Sequence, residues 1–262
     1  MAIPGSNSAT KVTDQLGGGL ASGASGPGLF PRPGKWQQAR VTEIRPETAT
    51  AKTFRLALTE PSPYMAGQHY IVRLTAPDGY TASRSYSVAS APGDSGEIEL
   101  TVERLPEGEV SSFLHDVVMV GDELEVRGPI GGWFVWPGDT PAVLVGGGSG
   151  VVPLMAMLRL ARRTGRPDLV HLVVSAREPA SLYYADELPG PQTTIVYTRR
   201  TPPAWPRPAG RLCPGDLPAP LPADATGYIC GSSGFADAAT TVLRDAGMPV
   251  QRIKVERFGP TG

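Results

Sequence analysis

The chain has 262 residues, 40% of them hydrophobic and 19% charged, with a formal net charge of −1. That describes a globular protein long enough for two domains, and the near-neutral balance gives no electrostatic footprint for nucleic acid or an anionic membrane. No apolar run reaches the ~18 residues of a membrane span, and the first residues lack a signal-peptide pattern. Two cysteines (Cys213, Cys230) cannot build a disulfide framework, and His69, His115 and His171 are scattered without metal-ligand spacing. These features lead us to expect a cytoplasmic protein with no bound metal.

Residues 1–34 are rich in Gly, Ser and Ala and carry too little apolar surface to offset the entropy of ordering, so a flexible tail is expected. From residue 35 to about 137 short β-rich runs are broken by turn residues. Strands are expected at 36–45, 51–59, 69–75, 82–90, 97–104 and 123–128, the spacing of a small antiparallel barrel or sandwich. A single helix, 109–118, interrupts them, with a polar start followed by Phe113, Leu114 and Val117.

Around "PGDTP" at 137–141 the pattern changes. Apolar strands at 142–147, 168–176, 193–199, 227–231 and 252–258 alternate with helices at 151–164 and 235–247. Buried strands alternating with helices predict a parallel α/β sheet over 138–262. The Pro-rich stretch 201–222 reads as an irregular surface excursion.

Three local patterns bear on chemistry. In "TASRSYSVAS" a strand alternates its side chains, setting Arg84 and Tyr86 on one face and Ser85 and Ser87 on the other. A cation beside an aromatic plate suits a ligand with a phosphate and a flat ring. In "VLVGGGSGVVPLM" a strand runs through Gly146, Gly147, Gly148 and Gly150 into a helix with Pro153 in its first turn. Such a start presents backbone N–H groups to an anion, so it is either a pyrophosphate seat or a tight strand–helix turn. The third glycine of the Rossmann fingerprint is replaced by Pro153. In "GEVSSFLHD", Gly108 and Ser111 open the lone helix of the β-rich half, as a second anion seat or as ordinary capping by Ser111 or Ser112.

Taken in order, Arg84-Ser85-Tyr86-Ser87, Gly108-x-x-Ser111, "GGGSGVVP", "CGSSG" and Glu256-x-Phe258 resemble the ferredoxin–NADP reductase superfamily over roughly residues 36–262. The resemblance implies a flavin-binding β-barrel followed by a Rossmann-like NAD(P)-binding domain. It places Arg84 on a flavin phosphate, Tyr86 against the isoalloxazine ring and Ser87 near flavin N5. Ser85, Val102 and Val110 would complete the flavin seat. Gly108 with Ser111 and Ser112 would meet a second phosphate, which favours FAD over FMN. Gly148, Gly150, Pro153 and Gly231 would hold the pyridine nucleotide, and Ser87, Cys230, Glu256 and Phe258 would flank the hydride path. Two departures stand out: Ser232 replaces the proline usual after Cys-Gly, and four residues follow Phe258, where plant-type members end.

Ser175-Ala176-Arg177 and Thr198-Arg199-Arg200 resemble the 2′-phosphate contacts of NADPH-using relatives. Ser175, Arg177 and Arg199 therefore point to NADPH over NADH, or else are solvated arginine patches. The expected activity is an FAD-dependent NAD(P)H oxidoreductase. Two cysteines are too few for an own [2Fe–2S] cluster, so electrons would go to a separate partner such as a ferredoxin or haem protein. The alternatives are a reductase of a small diffusible acceptor (flavin, ferric chelate, quinone or dioxygen) and a non-catalytic flavin-binding electron-transfer subunit.

Overall fold

The computed structural model describes residues 34–93 and 95–258. The expected N-terminal tail, Gly34 excepted, and the terminal "GPTG" lie outside the described residues.

The first half forms one six-stranded antiparallel sheet from β1 (Gln37–Pro46), β2 (Ala51–Leu58), β3 (His69–Thr75), β4 (Thr81–Ser87), β5 (Glu97–Glu103) and β6 (Glu123–Ile130). Strand β1 shows why: Gln37, Ala39 and Val41 are buried while Gln38, Arg40 and Thr42 are exposed, a period-two pattern with one face inward. The order is β4-β3-β6-β1-β2-β5. Its two ends meet through a Val88–Leu100 bridge and an Ala89 N–H bond to Glu99 O at 2.8 Å, so the sheet curls into a barrel. Phe54, Leu56, Tyr70, Leu100 and Val126 fill it. Helix α1 (Glu109–Asp116) closes one end by adding Val110 and Leu114 to that core. Strand β4 is shorter than the expected 82–90, because after Ser87 the chain leaves β3 to make the closing bridge.

The second half is a five-stranded parallel sheet ordered β11-β10-β7-β8-β9. Its strands are β7 (Ala142–Gly147), β8 (Val170–Ala176), β9 (Thr193–Tyr197), β10 (Thr226–Gly231) and β11 (Ile253–Arg257). Helix α2 (Val151–Arg163) covers one face, and α3 (Ser233–Asp245) covers the other. Helix α3 begins two residues before the expected Phe235, so part of "CGSSG" is helical and Ser232 is its N-cap. The stretch 201–222 is irregular apart from a short 3-10 turn at Pro214–Asp216.

The chain lays β8 and β9 on one side of β7, then returns to lay β10 and β11 on the other. This reversal leaves a crevice beyond the carboxyl ends of β7 and β10, the position where open α/β sheets bind ligands. The α2 face is shared with the barrel: Ala51, Ala66, Ala89, Phe134 and Trp136 pack in one apolar cluster with Met155, Leu158 and Tyr228. Among the described residues, no helix is long and apolar enough to cross a membrane.

Candidate functional site

A cleft of about 820 Å³ opens along the barrel edge, within the size range of small-molecule and cofactor sites. Residues 83–87 of β4 form one wall, with His69 and Ile71 of β3 beside them. Glu103, Leu105, Glu107, Gly108, Val110 and Ser111 form a second wall, and Glu256, Arg257 and Phe258 close it from the parallel sheet.

Both faces of β4 reach this cleft, so Arg84 and Tyr86 from one side and Ser85 and Ser87 from the other all line it. Strand β4 is first in the sheet order, and a cleft that wraps an edge strand meets alternate residues from both sides. Arg84 is exposed, and among the described residues its guanidinium hydrogen-bonds only the neighbouring Ser83 carbonyl, at 2.7 Å. Tyr86 is half-buried and leans on the barrel core; burial raises its phenol pKa, against the opposing pull of Arg84. Ser87 is buried and lies opposite His69 in the β3–β4 register. Burial lowers the His69 pKa, favouring the neutral imidazole.

Gly108, not Ser111 or Ser112, is the N-cap of α1, and no side chain caps it. Ser111 sits one turn in and is buried; its hydroxyl accepts from Leu105 N–H and donates to Gly108 O, both at 3.1 Å. Ser112 donates to Leu105 O at 3.3 Å and does not line the cleft. Both hydroxyls therefore brace the loop 105–108, and the donors left at this helix start are the backbone N–H groups that a first helical turn leaves without intrahelical partners. A Cβ on Gly108 would come within 2.3 Å of the Ser111 hydroxyl, so glycine is required for this bracing. Val102 lies in the barrel core and does not line the cleft, whereas Val110 is buried and does.

On the opposite wall, Glu256 Oε2 is buried with no hydrogen-bond partner among the described residues, and burial raises its carboxyl to about 7. Cys230 is level with Glu256 in the β10–β11 register, fully buried, and outside the cleft lining. Burial, and then the charge of Glu256, push its thiol well above the ordinary value, so it is a neutral, packed thiol. Phe258 packs against the cluster containing Cys230, and its N–H bonds Gly231 O at 2.9 Å.

At the switch point, the chain passes through Gly148, at φ +56°, into a 3-10 turn and then α2, with Pro153 buried as its third residue. Gly150 lies against the Cys230–Gly231 peptide so closely that a Cβ would be 2.2 Å from the Cys230 carbonyl oxygen. These residues stand apart from the lining of the 820 Å³ cleft. Ser175 is half-buried on β8. Arg177 and Arg199 are exposed and adjacent just beyond β8 and β9, joined by an Arg199 N–H bond to Arg177 O at 2.9 Å. An acid also stands at this edge: Glu178 pairs with Arg200 at 3.5 Å.

Sequence reasoning missed His69, Ile71, Ser83, Glu103, Leu105, Glu107 and Arg257 as cleft residues. The first two were within reach, because pairing runs 69–75 and 81–87 as a hairpin sets His69 beside Ser87. The acids of the second wall carry no motif.

An edge-strand cation, a helix start and a buried carboxyl line one cleft, and a glycine turn stands at the switch point of the parallel sheet, in a two-domain architecture of antiparallel barrel and parallel sheet. Residues 38–135 match the family described as "Oxidoreductase FAD-binding domain". The reductase component of propane 2-monooxygenase from Rhodococcus jostii (strain RHA1) is 31% identical over 236 residues, covering 84% of this chain. The chain spans 63% of that protein's length. The FAD/NAD-binding domain of nitric oxide dioxygenase from Vibrio cholerae superposes with a TM-score of 0.77 at 25% identity, over 87% of this chain and 100% of that one. A ferredoxin NADP+ reductase from Neisseria gonorrhoeae, solved with FAD and NADP, has the same fold, with a TM-score of 0.71 at 21% identity over 85% of this chain and 98% of that one. The chain thus has the fold of these reductases, with a match to the oxidoreductase FAD-binding domain over residues 38–135.

Proposed function

We propose that the chain is an FAD-dependent NAD(P)H oxidoreductase that passes electrons to a separate acceptor protein, in the manner the name of its propane 2-monooxygenase relative suggests. The observation that carries this reading is convergence: Arg84, the α1 N-terminus, Ser87 and the partnerless Glu256 carboxyl all face one cleft. The fit to FAD rests on chemistry already present. Arg84 and the amides of the α1 start offer two separate seats for the two phosphates of a dinucleotide flavin. The half-buried Tyr86 offers an aromatic face, and Glu103 and Glu107 are suited to hydroxyl groups. When bound, the flavin would supply the hydride-accepting ring.

The roles left to this chain are binding, orientation and exclusion of water. Ser87 would hydrogen-bond the reacting edge of the ring, and Glu256 would hold the nicotinamide end by a carboxyl poised near neutrality. Cys230 would act as a neutral packing surface behind that position, and Phe258 would cover the open ring face. Gly148, Gly150, Pro153 and Gly231 would seat the pyrophosphate of the nucleotide. Arg177 and Arg199, with Ser175, would meet a 2′-phosphate, which makes NADPH the preferred donor; the pairing of Glu178 with Arg200 leaves that carboxylate engaged elsewhere. We divide the chain into a flavin domain at 35–137 and a nucleotide domain at 138–262, and place it in the reducing cytoplasm, in keeping with its two free cysteines.

The deciding measurement is an anaerobic visible spectrum of the purified protein, before and after NADPH or NADH. Yellow protein bleached within seconds supports the reading. A colourless protein that takes up no FAD overturns it.

A further inference from the structure

Where barrel and parallel sheet meet, the barrel side of the apolar cluster combines the small Ala51, Ala66 and Ala89 with Phe134 and Trp136. The alanines give adhesion but little register, since neighbouring offsets bury similar area. A knot of charge adds a directional contact at the same seam. Arg159 of α2 bonds Glu99 of β5 at 2.8 Å, Glu187 at 2.9 Å and Ala89 O at 2.9 Å. Glu99 also takes Arg55 at 2.8 Å and Arg45 at 3.5 Å. The side chains of Arg159 and Glu99 are only 15% and 9% exposed, so desolvation of both is severe. An apolar pair of the same volume would hold the domains as firmly; a forked ionic contact holds them at one offset.

The third member is Tyr184, in the loop that follows β8 and carries Arg177. It sits at φ +53°, a left-handed conformation unusual for a bulky residue. Three contacts hold it there: its N–H to Glu47 Oε2 at 3.1 Å, its hydroxyl to Thr101 Oγ1 at 2.6 Å, and the Arg159 guanidinium 5.1 Å over its ring. From Arg159, α2 runs nine residues back to Gly150, about 13 Å at the helical rise. From Glu99, β5 runs four residues forward to Glu103 on the cleft wall, again about 13 Å. Helix α2 is buried from Val151 to Leu158, so it moves as a rod.

We propose that Arg159 is a positioning residue: with Glu99 and Tyr184 it fixes the sliding offset between α2 and β5, and so the separation of the glycine turn from the flavin cleft. This rests on the reductase reading. Arg159 touches neither ligand seat and acts through the two rods.

The test uses the flavin-loaded full chain with Arg159→Met, which keeps length and apolar stem, and Glu99→Gln, which keeps shape. Flavin affinity by fluorescence, thermal midpoint, and single-turnover bleaching with NADPH and its C4-deuterated form are measured for each. FAD affinity should stay within about twofold of wild type. The bleaching rate should fall about tenfold or more with an altered deuterium effect. Bleaching at the wild-type rate with an unchanged isotope effect, in either variant that folds, overturns the proposal and leaves the knot a structural fastening. Arg159→Met failing to fold shifts the decision to Glu99→Gln. Wild-type protein that never bleaches refutes the reductase reading instead, which keeps the two failures apart.

Discussion

Arg84, Glu256 and Arg177 each carry a charge whose surroundings state a testable chemistry. Arg84 has an exposed guanidinium that, among the described residues, hydrogen-bonds only the neighbouring carbonyl, which supports its proposed phosphate role. Arg84→Ala should raise the FAD dissociation constant about tenfold or more, read by flavin fluorescence; undiminished affinity removes Arg84 from the seat. For Glu256, burial raises the folded carboxyl from 4.5 to about 7. The folded state therefore holds this proton more tightly than the unfolded chain. Its contribution to stability is full below about pH 4.5 and is lost as pH climbs through 7. Flavin-free Glu256→Gln should be more stable than wild type at pH 8, by on the order of 3 kcal/mol at most, and equal to it near pH 4. Parallel pH profiles of melting temperature for the two proteins contradict that assignment. At the far sheet edge, Arg177→Ala should raise KM for NADPH about fivefold and leave KM for NADH nearly unchanged. An equal rise for both nucleotides excludes a 2′-phosphate contact.

At the scale of elements, turn chemistry decides how closely backbones approach. The glycine turn into α2 is pressed on the end of β10, and Gly150 has no room for a methyl group. Gly150→Ala should cost about 2 kcal/mol or more, measured by urea unfolding, because carbonyl and peptide atoms cannot step aside as a side chain can. A wild-type midpoint contradicts the packing. This region was also the most legible in the sequence: strand, glycine turn and helix follow from "AVLVGGGSGVVPLM" by propensity and capping alone. The strands of the barrel were legible by alternation, as Gln37 to Thr42 illustrate. Less legible were features set by pairing. Ser111 looked like a cap, yet Gly108 holds that place and the hydroxyl turns back to the loop, a choice governed by the 105–108 bend. Val102 matched a family position but faces the core, since β5 is buried along most of its length.

At the scale of the molecule, the two sheets share one apolar cluster that spans barrel and α2. Calorimetry should show one cooperative unfolding transition for the whole chain; two resolved transitions contradict a common core. No reading of the sequence could place Glu99 on Arg159, because the pair is 60 residues apart and neither lies in a motif. Long-range ionic contacts leave no periodic trace, whereas strand and helix patterns do.

The tether on Phe258 bears on speed. Its amide is pinned to Gly231 O, while the ring rests at the cleft beside the packed Cys230 region. With the backbone pinned and the two halves sharing a core, clearing the ring from its place is a rotation about side-chain bonds. Such rotations take picoseconds to nanoseconds for an exposed side chain and are slowed by packing such as that of Phe258, whereas hinged domains move in microseconds to milliseconds. On the proposed function, access to the ring face that Phe258 would cover is governed by the energy of unpacking one aromatic ring.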